Sequence, residues 1–144
     1  MQTSFKIIPQ NEKKQEIFDN ITLTYEERFI RRKKLTTDNG TNFLVNLSET
    51  ISVDENNFFE LDNGNLIKVL SKKENLIEVT GENIKQIIWH LGNRHLPTQI
   101  EESRVLIQDD AVILDMILKL KGNVRKVFEK FNPEGGAYGL GRTH

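Results

Sequence analysis

Over the first half of the chain the apolar residues come in short runs with a two-residue period; further on, parts of the chain take up a helical period. Residues 5–8 end at Pro9 and read as a first strand, and the β-branched alternation of 21–25 reads as a second. A third run, 28–35, leads into Asp38-Asn39-Gly40, beyond which Phe43, Val45 and Leu47 share one face. Asp62-Asn63-Gly64 repeats the device between 58–61 and 66–70. An Asn-Gly pair between strand-like runs predicts a hairpin closed by a type I′ turn, with both central residues at positive φ. Short strands at this spacing predict a small antiparallel barrel or sandwich.

Near residue 74 the pattern changes. Residues 76–80 read as a strand, and Ile84, Ile87, Ile88 and Leu91 then stand at i, i+3, i+4 and i+7, one apolar stripe of a helix. Thr80 or Gly81 is the expected start of that helix and Gly92 its expected C-terminal signal. A strand over 97–101 pairs with 105–107. Asp109-Asp110 caps a second helix bearing Val112, Ile113, Met116, Ile117 and Leu120 on one side, and Gly122 ends it. A last strand covers 124–131, before a glycine-rich tail. Strand, helix, strand, strand, helix, strand is the ferredoxin-like βαββαβ order. The class is therefore α+β: a β-rich N-terminal domain over 1–73, a ferredoxin-like domain over 74–131 and a tail over 132–144.

Composition narrows the chemistry. A formal charge of −1 carries no electrostatic footprint for nucleic acid. With no cysteine, thiolate metal sites and cysteine nucleophiles are excluded, so a metal would need nitrogen and oxygen ligands. No apolar run reaches the ~18–20 residues of a membrane span, and the N-terminus lacks a signal-peptide core, so a cytoplasmic location is expected. No serine elbow, catalytic triad or phosphate loop is present, which argues against an enzyme.

Three histidines remain: His90, His95 and His144. His90 falls in the last turn of the first helix, where an imidazole interacts with the helix dipole. His95 lies beyond that helix, between a glycine and a proline. It is either a surface histidine or a metal ligand that meets its own copy across a two-fold axis, a donor set suited to nickel, zinc or copper. Asp109-Asp110 is explained by capping. The basic run from Arg28 through Arg31 and Arg32 to Lys34 is either a solvated edge strand or a contact patch for an acidic partner.

The residues His90-Leu91-Gly92-Asn93-Arg94-His95-Leu96-Pro97-Thr98-Gln99-Ile100 resemble the central motif of UreE, the family of urease accessory proteins and nickel chaperones. Phe131-Asn132-Pro133-Glu134-Gly135-Gly136-Ala137-Tyr138 resembles that family's second signature, and the helix after Asp110 resembles the one between them. The resemblance implies a β-rich partner-binding domain followed by a ferredoxin-like domain that binds metal and forms a homodimer. It implies that His95 is the interface nickel ligand and that His144 joins it from the tail; His90 and Asp109 stand beside them as secondary metal candidates from their positions in the chain. The implied cargo is Ni(II), with zinc or copper as in-vitro substitutes. The implied partners are apo-urease and the maturation GTPase UreG, and the basic strand is the candidate docking surface. Ala111 and Asp109 stand where relatives carry further histidines, and the tail holds one histidine where many relatives hold several. The alternative expectation is a scaffold of the urease maturation complex that carries no metal.

Overall fold

A computed structural model describes residues 1–13 and 15–134. The chain divides into two compact units between Lys72 and Lys73. Among the described residues no helix is long and apolar enough to cross a membrane.

The first unit is one curled six-stranded sheet, a half-barrel. Its strands are β1 (Gln2–Ile8), β2 (Ile17–Leu23), β3 (Phe29–Thr36), β4 (Asn42–Ser52), β5 (Phe58–Leu61) and β6 (Leu66–Ser71). Across the sheet they run β2-β6-β5-β1-β4-β3. Phe43, Val45 and Leu47 all point into the core, as their alternation requires, and Ile21, Leu35, Phe59 and Val69 meet them there. The expected all-antiparallel pairing does not hold: β1 is parallel to β4, and β2 is parallel to β6. Alternation shows which face of a strand is buried, but it carries no information on which distant strand lies alongside.

Both hairpins form where the Asp-Asn-Gly triplets stand, with a different turn. Thr37 N–H bonds the Thr41 carbonyl at 2.8 Å and Gly40 N–H bonds the Thr37 carbonyl at 3.0 Å, so the loop has three residues. Leu61 and Asn65 close the second loop in the same way at 2.8 Å. Only the glycines, Gly40 at φ 95° and Gly64 at φ 89°, are left-handed; Asn39 and Asn63 are not. This is a type I turn followed by a left-handed glycine, the three-residue hairpin, in place of the two-residue type I′ form. Buried Asp19 holds the first loop: its carboxylate accepts from the Asn39 side chain at 2.9 Å and from Asn20 N–H at 2.7 Å.

The second unit comprises β7 (Lys73–Thr80), α1 (Ile84–Asn93), β8 (Gln99–Ile100), β9 (Val105–Gln108), α2 (Ala111–Lys119) and β10 (Asn123–Lys130). The sheet order β10-β7-β9-β8, antiparallel throughout, is the ferredoxin-like arrangement. Ile87 and Leu91 of α1 and Ile113 and Ile117 of α2 pack on Ile77, Val79, Val105 and Ile107 of the sheet. Val112 departs from the expected stripe and is 74% exposed, because the buried face of α2 is centred on Ile113 and Ile117. α1 begins after Asn83, later than Thr80 or Gly81, because Gly81 at φ 130° first turns the chain. Asp110 caps α2 as expected, accepting from Val112 N–H at 2.8 Å and Ile113 N–H at 3.1 Å. β8 is shorter than 97–101, since Pro97 has no N–H to donate and the turn bond from Glu101 N–H to the Arg104 carbonyl closes just after Ile100.

One charge cluster fastens this sheet. Arg104, at the β8–β9 turn, donates to Glu129 at 2.7 Å, to Glu78 at 2.9 Å and to Glu101 at 3.0 Å; Arg125 adds a bond to Glu78 at 3.1 Å. The Arg104 hydrogen bonds hold the Glu78 and Glu129 carboxyls below the ordinary carboxylate range. A carboxyl whose pKa is lowered by folding stabilises the fold above its unfolded pKa and loses that contribution as pH falls through the folded value. The stability of the second unit should therefore be flat near neutrality and decline below about pH 5. Urea titrations at several pH values should show a shallower decline for Glu129→Gln, which cannot titrate.

Candidate metal site at one end of the second unit

Strand register determines which groups can meet. β7 starts at Lys73, opposite the end of β10 at Lys130; Leu76 faces Gln108 at the end of β9, and Gln99 at the start of β8 faces Leu106. One end of the sheet thus gathers the exit from α1, the entry to β8, the cap of α2 and the exit from β10. His95, Asp109, Asp110 and the segment 131–134 all belong to this end. That segment folds back along β8: Asn132 N–H donates to the Gln99 side chain at 2.8 Å and Glu134 N–H to the Thr98 carbonyl at 2.9 Å. The tail therefore departs beside the residues that follow His95. Sequence reasoning missed this tie, since bonds donated by backbone N–H groups leave no pattern in residue type.

His95 itself has a distinctive backbone. α1 runs through Gly92 to Asn93, and the left-handed position falls on His95 at φ 58°, not on the glycine expected to end the helix. His95 N–H bonds the Gly92 carbonyl at 3.0 Å and Leu96 N–H bonds the Leu91 carbonyl at 3.1 Å, the two hydrogen bonds of a Schellman motif. Its left-handed residue is usually glycine, because a Cβ is strained there. Here that residue is an exposed histidine. Leu96 packs half-buried against the cluster containing Leu91, the apolar contact that accompanies this motif.

The other candidates are placed differently. His90 is half-buried in the last turn of α1, its ring edge-on to Trp89 with centroids 5.0 Å apart. Asp109 is ion-paired to Lys126 at 3.5 Å. His144 lies outside the described residues. Among the described residues, no group of three histidine or carboxylate side chains is placed to hold a metal ion.

In the first unit, Arg28 is buried at 3% exposure and donates to the Leu23 carbonyl at 3.1 Å, with its guanidinium 5.8 Å from the Tyr25 ring centre. It fastens a turn and offers no surface to a partner. Arg31 and Arg32 are exposed, as are Lys33 and Lys34, on a strand at the sheet's edge. An irregularity in register between Ile30 and Arg32 interrupts the alternation there.

Comparison with known proteins covers both units. Residues 6–72 match the UreE urease accessory protein N-terminal domain, and residues 74–144 match the C-terminal domain of the same family. The urease accessory protein UreE of Ruegeria pomeroyi is 50% identical over 126 residues, 88% of this chain and 85% of that protein. UreE of Ruegeria sp. strain TM1040 is 49% identical, over 88% of this chain and 72% of its own length. UreE of Rhodobacter capsulatus is 46% identical over 125 residues, 87% of this chain and 80% of its own. With both domains matched in order and identities this high over most of its length, the chain belongs to the UreE family of urease accessory proteins.

Proposed function

We propose that this protein is a nickel metallochaperone, catalysing no reaction itself, which carries Ni(II) to urease during assembly of the urease metal centre. The observation that carries the reading is the placement of His95: exposed, on a fixed turn, at the end of the unit where the tail departs. One imidazole does not hold a metal, and a second copy of the chain supplies another across a two-fold axis. His144 completes the set from the tail. It lies ten residues beyond Glu134, and an extended chain of that length reaches roughly 33–36 Å. A tethered ligand of this kind binds at high effective concentration and can leave before the others, which suits a protein that must release its cargo. His90 is held in its helix turn, and Asp109 by Lys126; both are auxiliary at most.

Apo-urease and the GTPase UreG are the proposed recipients, in the cytoplasm, and the exposed side chains of Arg31 and Arg32 are the proposed contact for one of them. Zinc and copper should compete for the same nitrogen donors in vitro.

Calorimetric titration of the full chain with nickel should give tight binding near one metal per two chains. His95→Ala should abolish that event, and deletion of 135–144 should weaken it about tenfold through loss of the tethered ligand. Equal binding by the intact protein and His95→Ala would remove His95 from the site. Affinity should fall in acid, since imidazole ligates only when neutral.

A further inference from the structure

The Schellman motif does more than end a helix. Leu96 is followed by Pro97, which disfavours helical backbone at Leu96 and so favours ending α1 before it. The Leu96 side chain is drawn into the cluster of Ile87, Leu91 and Ile113, which fixes where the chain leaves the helix. Between the last helical residue and that anchor, the backbone reverses through a left-handed residue, and His95 occupies that position. Were His95 helical, its Cα–Cβ bond would tilt back along α1 toward the N-terminus. At φ 58° the bond leaves that path.

We propose that Leu96 is a positioning residue of the metal site: packed against the core cluster that contains Leu91, and disfavoured from helical backbone by Pro97, it holds His95 in the left-handed conformation that sets the direction of the imidazole. The proposal rests on His95 being the nickel ligand and adds what makes that ligand rigid. A metal held by few protein donors gains most from ligands whose orientation is fixed beforehand. Here the fixing is done by backbone geometry and one apolar contact. Exposure alone would leave the direction of a surface histidine to its side-chain rotamers.

The test compares Leu96→Ala with Leu96→Met in the full-length chain. Nickel affinity is measured by calorimetry well below the unfolding temperature, and the backbone angle of His95 by its amide–Hα coupling in NMR. Leu96→Ala should weaken nickel about tenfold and shift the coupling away from the left-handed value. Leu96→Met, which refills the anchor, should stay close to wild type in both. Circular dichroism and the fluorescence of Trp89, the single tryptophan, report whether the unit remains folded. Wild-type affinity in Leu96→Ala would overturn the proposal, and so would weakened affinity with an unchanged His95 coupling. If the wild-type chain takes up no nickel, the metallochaperone reading fails on its own. An unshifted His95 coupling in Leu96→Ala would then still refute the claim that Leu96 sets that backbone.

Discussion

Replacing His95 with glycine should make the second unit more stable by about 0.5–1 kcal/mol while removing the proposed nickel ligand. A left-handed conformation costs an L-residue roughly 1–2 kcal/mol, and glycine escapes that cost. Against the gain stands the greater freedom of glycine in the unfolded chain, roughly 0.5–1 kcal/mol, which leaves a modest net stabilisation. His95→Ala is the control. It removes the imidazole but keeps the Cβ, so it should lose nickel without gaining stability. Urea denaturation of the three proteins separates the terms, provided the metal is chelated first, because a ligand bound only to the folded state would stabilise the wild type by linkage. If glycine and alanine at this position prove equally stable, the left-handed backbone at His95 carries no strain. A glycine that stabilises and disarms together would show that residue 95 is set by ligation, at the expense of the fold.

This also explains how far the sequence could be read. α1 and α2 were legible because one buried stripe per helix imposes a period that few other structures share. The hairpins were legible because a left-handed residue is needed in each loop and Gly40 and Gly64 provide it. Their turn type was not, since one left-handed glycine suits a three-residue loop as well as it suits type I′. At the end of α1 the same reasoning failed. Gly92 attracted the role of helix terminator, yet the left-handed position is fixed by tertiary contacts, with Leu91 and Leu96 both drawn into the core. An apolar pair five residues apart across a non-periodic stretch was the available signal. Arg28 failed in the opposite sense: read as part of a charged run, it is buried against Tyr25 and the Leu23 carbonyl. Charge in a sequence marks a surface only where local structure leaves it there, and the turn preceding β3 does not. The proposed role of His95 rests on family resemblance, since one histidine in a turn shows no partner ligand.

The end of α2 repeats the end of α1 with its residues exchanged, and this gives the largest expected effect on stability. Lys121 takes the left-handed position at φ 65°, Gly122 N–H bonds the Ile117 carbonyl at 3.0 Å, and Lys121 N–H bonds the Leu118 carbonyl at 3.0 Å. Gly122 is therefore not the left-handed residue of this motif, and its importance is steric. A Cβ there would lie 2.6 Å from Ile87 Cδ1 and 2.8 Å from Ile117 Cγ2, both well inside van der Waals contact. Neither neighbour can yield easily. Ile87 and Ile117 are both fully buried: Ile87 Cδ1 can turn away only into packed core, and Ile117 Cγ2 is fixed to the Cβ of a helical residue, so relief at Ile117 requires backbone to move. Gly122→Ala should destabilise the second unit by about 1–3 kcal/mol, the usual cost of an added methyl in a packed core. A general helix-propensity effect would have the opposite sign, since alanine is the better helix former. Ile87→Val removes the nearer methyl, so the double variant should recover part of the loss: the two changes should be less costly together than the sum of each alone. Additive losses would mean that α1 does not approach Gly122 as closely as the 2.6 Å contact requires. The motif that ends α1 presents a histidine to solvent, whereas its counterpart on α2 turns a bare backbone toward the core. The closure is the same in both, and the residue placed at its left-handed and following positions decides whether it faces solvent or packs between helices.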